Sequence, residues 1–194
     1  ATLYTATLTC KAEQDGESQM GGDFDFSHTL GKLNTELVSK RGAESALELL
    51  GGKVPQTMKC PAVLRNDVVA EFLEFMASSF QAEELDKGRS LLIGKQGQKV
   101  FSPKVQLIDD GLMSGGYATS SFDGEGVPSQ KNILVQDGVF LTPLYDLKTA
   151  KKHRTKPSGT AGRSIQSAPS SGLTNFYLKP GTKSYNELIG SISD

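Results

Sequence analysis

Few side chains in this sequence could do chemistry, and their spacing limits what that chemistry could be. The 194 residues include two histidines, His28 and His153, and two cysteines, Cys10 and Cys60. Imidazoles and thiolates hold zinc when they recur at short spacings along a helix or turn. Neither histidine has a second histidine or a glutamate at such a spacing, and the cysteines form no Cys-x-x-Cys pair. His153 reads as a cation at the C-terminal end of a helix, and His28 as a loop or strand-end residue. The carboxylates offer more. Asp123 and Glu125 flank Gly124, and Asp109-Asp110 precede Gly111. Paired carboxylates serve acid–base work or hold a cation. Beside glycine, they also build turns by accepting backbone N–H bonds, and this second reading is favoured for both pairs. Arg89-Ser90 after Gly88 has the outline of an anion contact. Lys148, Lys151, Lys152, Arg154 and Lys156 form a basic cluster that reads as a solvated helix face. No Gly-x-Ser-x-Gly elbow and no phosphate-binding glycine loop occurs.

Composition narrows the class. Hydrophobic residues make up 37% and charged residues 22%, which suits a globular chain with room for one good core or two small ones. The formal net charge is −1, so there is no positive excess to hold nucleic acid directly. No apolar run reaches the roughly 18 residues of a spanning helix, and no basic and apolar leader opens the chain. The two isolated cysteines read as reduced thiols, which places the protein in the cytoplasm. The chain opens inside a strand, which points to an engineered boundary or a proteolytic fragment.

The elements that must position these residues follow from periodicity. Residues 2–10 and 17–26 alternate as two strands about Asp15-Gly16, with Gly21-Gly22 marking a bulge in the second. A helix is expected from Thr35 to Leu50, with Ala43, Ala46, Leu47 and Leu50 as its apolar stripe and Gly42 weakening its middle. Ala62-Val63-Leu64 reads as a short buried strand. Asn66 then caps a helix whose stripe is Val69, Phe72, Leu73, Met76 and Phe80. Leu91-Leu92-Ile93, Val100-Phe101 and Val105–Ile108 are β-prone. Ile133–Val135 and Val139–Leu141 make a hairpin about Asp137-Gly138. Pro143 opens a short helix ending near His153. Residues 155–173 form a long loop, Asn175–Leu178 a strand, and Ser184 with Glu187 a capping box. The fold class is α+β, mostly antiparallel sheet covered on one side by the helices.

The order and spacing of several short motifs resemble the TldD/PmbA family. They are Phe122-Asp123-Gly124-Glu125-Gly126-Val127-Pro128, Asp137-Gly138-Val139, and Leu144-Tyr145-Asp146 with Thr149-Ala150-Lys151-Lys152. The stretches Gly88–Lys95, Asp109-Asp110-Gly111 and Thr174–Leu178 extend the match. Members of that family are called modulators of DNA gyrase and are linked to peptide maturation by proteolysis. The resemblance implies a protease-like C-terminal domain at 53–194, preceded at 1–52 by the end of the family's N-terminal domain. It also implies that a final segment, beyond the position of Asp194, is missing.

The family's protease branch carries a His-Glu-x-x-x-His helix that holds zinc. The comparable helix here, Val68 to Phe80, has Glu71 and Glu74 but no histidine. The resemblance therefore points to the PmbA branch, also called TldE. That branch implies a non-catalytic subunit, with no catalytic or metal-binding residue of its own and no cofactor. Its partner would be a zinc-bearing TldD-like subunit, or a second copy, acting on a peptide substrate. The alternatives are an active metallopeptidase with other ligands, or a binding module acting on gyrase or a toxin–antitoxin system.

Overall fold

A computed structural model describes residues 2–192, and the chain divides into two compact units, Ala1–Cys60 and Pro61–Asp194. In the first, β1 (Tyr4–Gln14) pairs antiparallel with β2 (Glu17–Ser27), and α1 (Thr35–Glu48) packs on the hairpin. Asp15 and Gly16 both take positive φ, 50° and 83°, as a two-residue hairpin turn of matching twist requires. The expected bulge is absent. Thr9 pairs with Gly22 and Cys10 with Gly21 in unbroken register. Gly21 instead makes room for α1, because a Cβ there would strike the backbone of Ser45 and Ala46, while a Cβ at Gly22 would meet the Leu8 carbonyl of β1. The helix buries Val38, Gly42 and Ala46, spaced by four, and leaves Leu47 exposed. Its stripe is thus rotated from the expected one, because close approach to the hairpin favours the smallest residues. Gly42 is buried against the hairpin beside Leu8, Gly22 and Asp23.

In the second unit, α2 (Asn66–Met76), a 3₁₀ turn (Ala77–Phe80) and α3 (Ala82–Asp86) precede the sheet. The strands are β3 (Leu107–Asp110), β4 (Lys131–Gln136), β5 (Val139–Phe140) and β8 (Phe176–Leu178), in the order β5-β4-β3-β8. Between β5 and β8 in sequence come α4 (Leu147–His153), β6 (Ala161–Gly162) and β7 (Ser170–Ser171), the last two paired with each other. The helix α5 (Tyr185–Ile189) follows β8. All pairings between these strands are antiparallel, and one isolated parallel bridge joins Gln81 to Leu144. The fold is α+β, as expected.

The core of this unit gathers Phe80, Leu107, Leu134, Val135, Phe140 and Leu144. Phe80 is fully buried and meets the rings of Phe101, Phe140 and Phe176 at centroid distances of 6.3, 6.0 and 5.6 Å. The hairpin at Asp137-Gly138 holds, with φ of 51° and 81°. Gly138 also abuts the carbonyls of Phe101 and Ser102, leaving no room for a side chain.

Several expectations fail locally, and Val100-Phe101 forms no strand. Ala62-Val63-Leu64 forms no strand: it has no pairing partner, and Leu64 is exposed. Leu91-Leu92-Ile93 is a turn, because the Ser90 hydroxyl accepts the Leu92 N–H and bends the chain; only Leu92 enters the core. The cap position before α2 is Arg65, and Asn66 lies inside the helix. The helix α4 begins at Leu147, four residues after Pro143, because Asp146 and Thr149 form a reciprocal capping box there. The capping box expected at Ser184 and Glu187 is present.

Candidate functional site

The helix α2 is the one that the family resemblance compares with the zinc-binding helix of the protease branch. Its inward side lays Leu73 and Met76 on the core, while Glu71, Glu74, Phe72 and Phe75 are exposed. Carboxylates without imidazole partners make a poor zinc site. His153 is committed to Asp86, with Nε2 2.9 Å from Oδ1, and the His28 Nδ1 lies 2.9 Å from the Thr2 carbonyl oxygen. Cys10 and His28 belong to the first unit, and Cys60 ends it exposed. Among the described residues no group of three His, Cys, Asp or Glu side chains converges on a metal-sized space. The described side chains do not fit the zinc that the protease branch implies.

The glycine-rich motif is a structural knot. Asp123 Oδ1 accepts the N–H of Glu125 and of Val127, both at 2.9 Å, and Oδ2 accepts the N–H of Ala161 at 2.9 Å. The Gly124 N–H donates to the Ala161 carbonyl at 2.7 Å. Glu125 Oε2 accepts the Leu147 N–H at 2.8 Å, in the first turn of α4. One short turn thus ties β6 and α4 together, and both of its carboxylates are engaged by backbone donors.

The Asp109-Asp110 pair also serves the framework. Asp109 is fully buried and accepts the Thr174 N–H at 2.6 Å and the Thr174 hydroxyl at 3.0 Å. Burial pushes its carboxyl above the usual carboxylate range, and the Thr174 bonds pull it back. Asp110 accepts the Leu112 N–H and pairs with Lys131 at 3.3 Å. Arg89 makes a two-pronged bond to Glu84 at 2.7 and 2.6 Å, so its guanidinium is occupied. The Ser90 hydroxyl donates to the Ser79 carbonyl.

Part of the basic cluster is engaged as well. Lys148 approaches Glu83 at 3.8 Å, and Lys152 pairs with Asp86 at 2.8 Å. The Lys152 bond, with help from His153, holds the Asp86 carboxyl below the usual range. Lys151, Arg154 and Lys156 are exposed.

This acid–base seam between α3 and α4 borders an open cleft of about 250 Å³. Leu85, Leu92, Ile93, Pro143 and the Tyr145 ring form its apolar walls, and Asp86, His153 and Gln96 its polar margin. The Tyr145 and His153 rings lie 5.6 Å apart. Sequence reasoning missed α3 and therefore missed the cleft. The signal was the helix-forming run Ala82-Glu83-Glu84-Leu85-Asp86, too short to show a period.

Comparison with known proteins gives the family. Residues 57–194 match the PmbA/TldA metallopeptidase C-terminal domain. A Methanothermobacter thermautotrophicus protein called a metalloprotease is 33% identical over 92% of this chain and 39% of its own length. A Haemophilus influenzae metalloprotease TldD homolog is 27% identical over 98% of the chain and 42% of its own length. Among solved structures, a Thermotoga maritima protein described as a candidate modulator of a DNA gyrase superposes with a TM-score of 0.85. It is 31% identical, covering 95% of this chain and 42% of that one. TldE from Thermococcus kodakarensis superposes with a TM-score of 0.82 over 98% of this chain and 43% of its own, at 24% identity.

The chain belongs to the TldD/PmbA family and is a metalloprotease-like domain of that family. It spans about two fifths of the length of the relatives it matches. Among the described residues, no helix is long and apolar enough to cross a membrane.

Proposed function

We propose that this protein is a non-catalytic, protease-like subunit of the PmbA/TldE kind. It pairs with a zinc-bearing TldD-like subunit, or with a second copy, in cytoplasmic maturation or degradation of peptides. The observation that carries this reading is α2, the helix compared with the zinc-binding helix of the protease branch, which exposes Glu71 and Glu74 without an imidazole. In this scheme residues 1–52 complete an upstream domain and residues 53–194 form the protease-like domain. The strand β8 ends the four-stranded sheet, and no further strand pairs with it among the described residues. Such an edge can add an extended peptide through main-chain hydrogen bonds.

The test is metal analysis and peptide cleavage by the purified protein, with and without a TldD-type subunit. The expected result is no stoichiometric zinc in this subunit, co-purification with the partner, and cleavage only when the partner is present. Stoichiometric zinc together with chelator-sensitive cleavage by this protein alone overturns the proposal. That outcome favours the second reading, an active metallopeptidase with ligands not yet identified. The metalloprotease name carried by the 33%-identical relative supports that alternative.

A further inference from the structure

The cleft between α3 and α4 has a size and a charge balance that select its occupant. Its volume of about 250 Å³ lies below the roughly 300–1,000 Å³ of pockets that enclose whole drug-sized ligands. A group of one side chain's size, carried on a larger molecule, matches it. The walls of Leu85, Leu92, Ile93 and Pro143 reward burial of an apolar body. The Tyr145 ring, itself mostly buried, offers an aromatic face.

The polar margin disfavours charge of either sign. Asp86 is neutralised by Lys152 at 2.8 Å and hydrogen-bonded by His153 at 2.9 Å. An incoming ammonium would have to compete with Lys152 for the Asp86 carboxylate, and an incoming carboxylate would be repelled by it. Gln96 donates one of its two amide N–H groups to the Leu141 carbonyl, which fixes its position and leaves the neutral amide at the margin.

We propose that this cleft is a subsite for one neutral, aromatic-sized side chain of a peptide. The proposal rests on the peptide-handling reading above for its biological occupant. Its test needs neither a partner subunit nor cleavage. Backbone amide shifts of the isotope-labelled protein are followed by NMR during titration with N-acetyl-phenylalanine amide, N-acetyl-tyrosine amide, N-acetyl-lysine amide and N-acetyl-glutamate amide.

The aromatic probes are expected to give saturable shifts at Leu85, Gly94, Tyr145 and His153, and the charged probes to bind at least tenfold more weakly. Ile93 is 46% exposed at the rim, so Ile93→Asp should leave the fold intact while weakening the aromatic probes about tenfold. Phe75→Ala, on the exposed side of α2, should leave binding unchanged. Absence of saturable shifts overturns the subsite, as do equal affinities for aromatic and charged probes or shifts centred on Phe72 and Phe75. None of these outcomes bears on whether the protein binds zinc or a TldD-type subunit.

Discussion

His153 Nε2 stands 2.9 Å from Asp86 Oδ1, joining the last turn of α4 to the end of α3. Lys152 reaches the other oxygen of the same carboxylate. One residue of the basic cluster and the neighbouring histidine are thereby spent on one acidic residue of a helix that periodicity did not reveal. The pairing sets the margin of the cleft.

This relationship predicts an acid-side pH dependence. The Lys152 bond and His153 hold the Asp86 carboxyl below its ordinary value, near 3.9 in an unfolded chain. The unfolded state therefore binds the proton more tightly. The stabilisation is fully present above about pH 4 and is lost as pH falls through the lowered folded value. Asp86→Asn should cost about 0.2–1 kcal/mol at pH 7, as for a mostly solvated ion pair, and should flatten this acid limb. Urea unfolding at a series of pH values measures both.

Asp109 should behave with the opposite sign. Its burial raises the folded-state value, so the native state holds the proton more tightly than the unfolded one. Stability from this group is greatest below about pH 4 and declines as pH rises towards the raised folded value, then levels. Asp109→Asn should remove that decline. Asp109→Ala strands the Thr174 donors and should cost about 1–3 kcal/mol. The same unfolding series separates the two variants.

Phe80→Ala should destabilise the second unit by about 3–5 kcal/mol, since the residue is fully buried among three other rings. Phe75→Ala, at a position 87% exposed, should change stability by less than about 0.5 kcal/mol. Thermal melts of the two variants side by side provide the comparison. Similar losses in both would contradict the packing described.

Asp123→Ala should act on order rather than on metal or chemistry. It removes the acceptor for three backbone N–H groups, at a cost of about 1–3 kcal/mol. Amide exchange should speed up at Glu125, Val127 and Ala161, and α4 should loosen at Leu147 because Glu125 loses its placement. Hydrogen exchange read by mass spectrometry checks this. Unchanged protection at those amides, with peptide processing abolished in the complex, would show that Asp123 acts on substrate instead.

Local chemistry made much of the fold legible. An Asp-Gly pair between two β-prone runs favours positive φ at both turn positions, so both tight hairpins could be read directly at Asp15-Gly16 and Asp137-Gly138. The Ser184 capping box works within four residues and needed no tertiary context. The motif from Phe122 to Pro128, with those that follow it, pointed to the family that the comparisons show. The absence of histidine from the 68–80 helix is a fact of composition.

What the sequence alone could not determine involves contacts between distant residues. Gly21 and Gly22 look like a strand defect until α1 is seen packed against them. The apolar residues of α1 and α2 suggest which faces are buried, but Leu47 and Phe72 lie outside because a partner surface selects the face. The turn reading favoured for Asp123 could not include its third donor, the Ala161 N–H, which lies 38 residues away in sequence. The cleft has the same origin. Residues 82–96 and 143–153 are separated in sequence by the strands β3, β4 and β5, so the meeting of Asp86 with His153 is decided by tertiary packing and not by any local spacing.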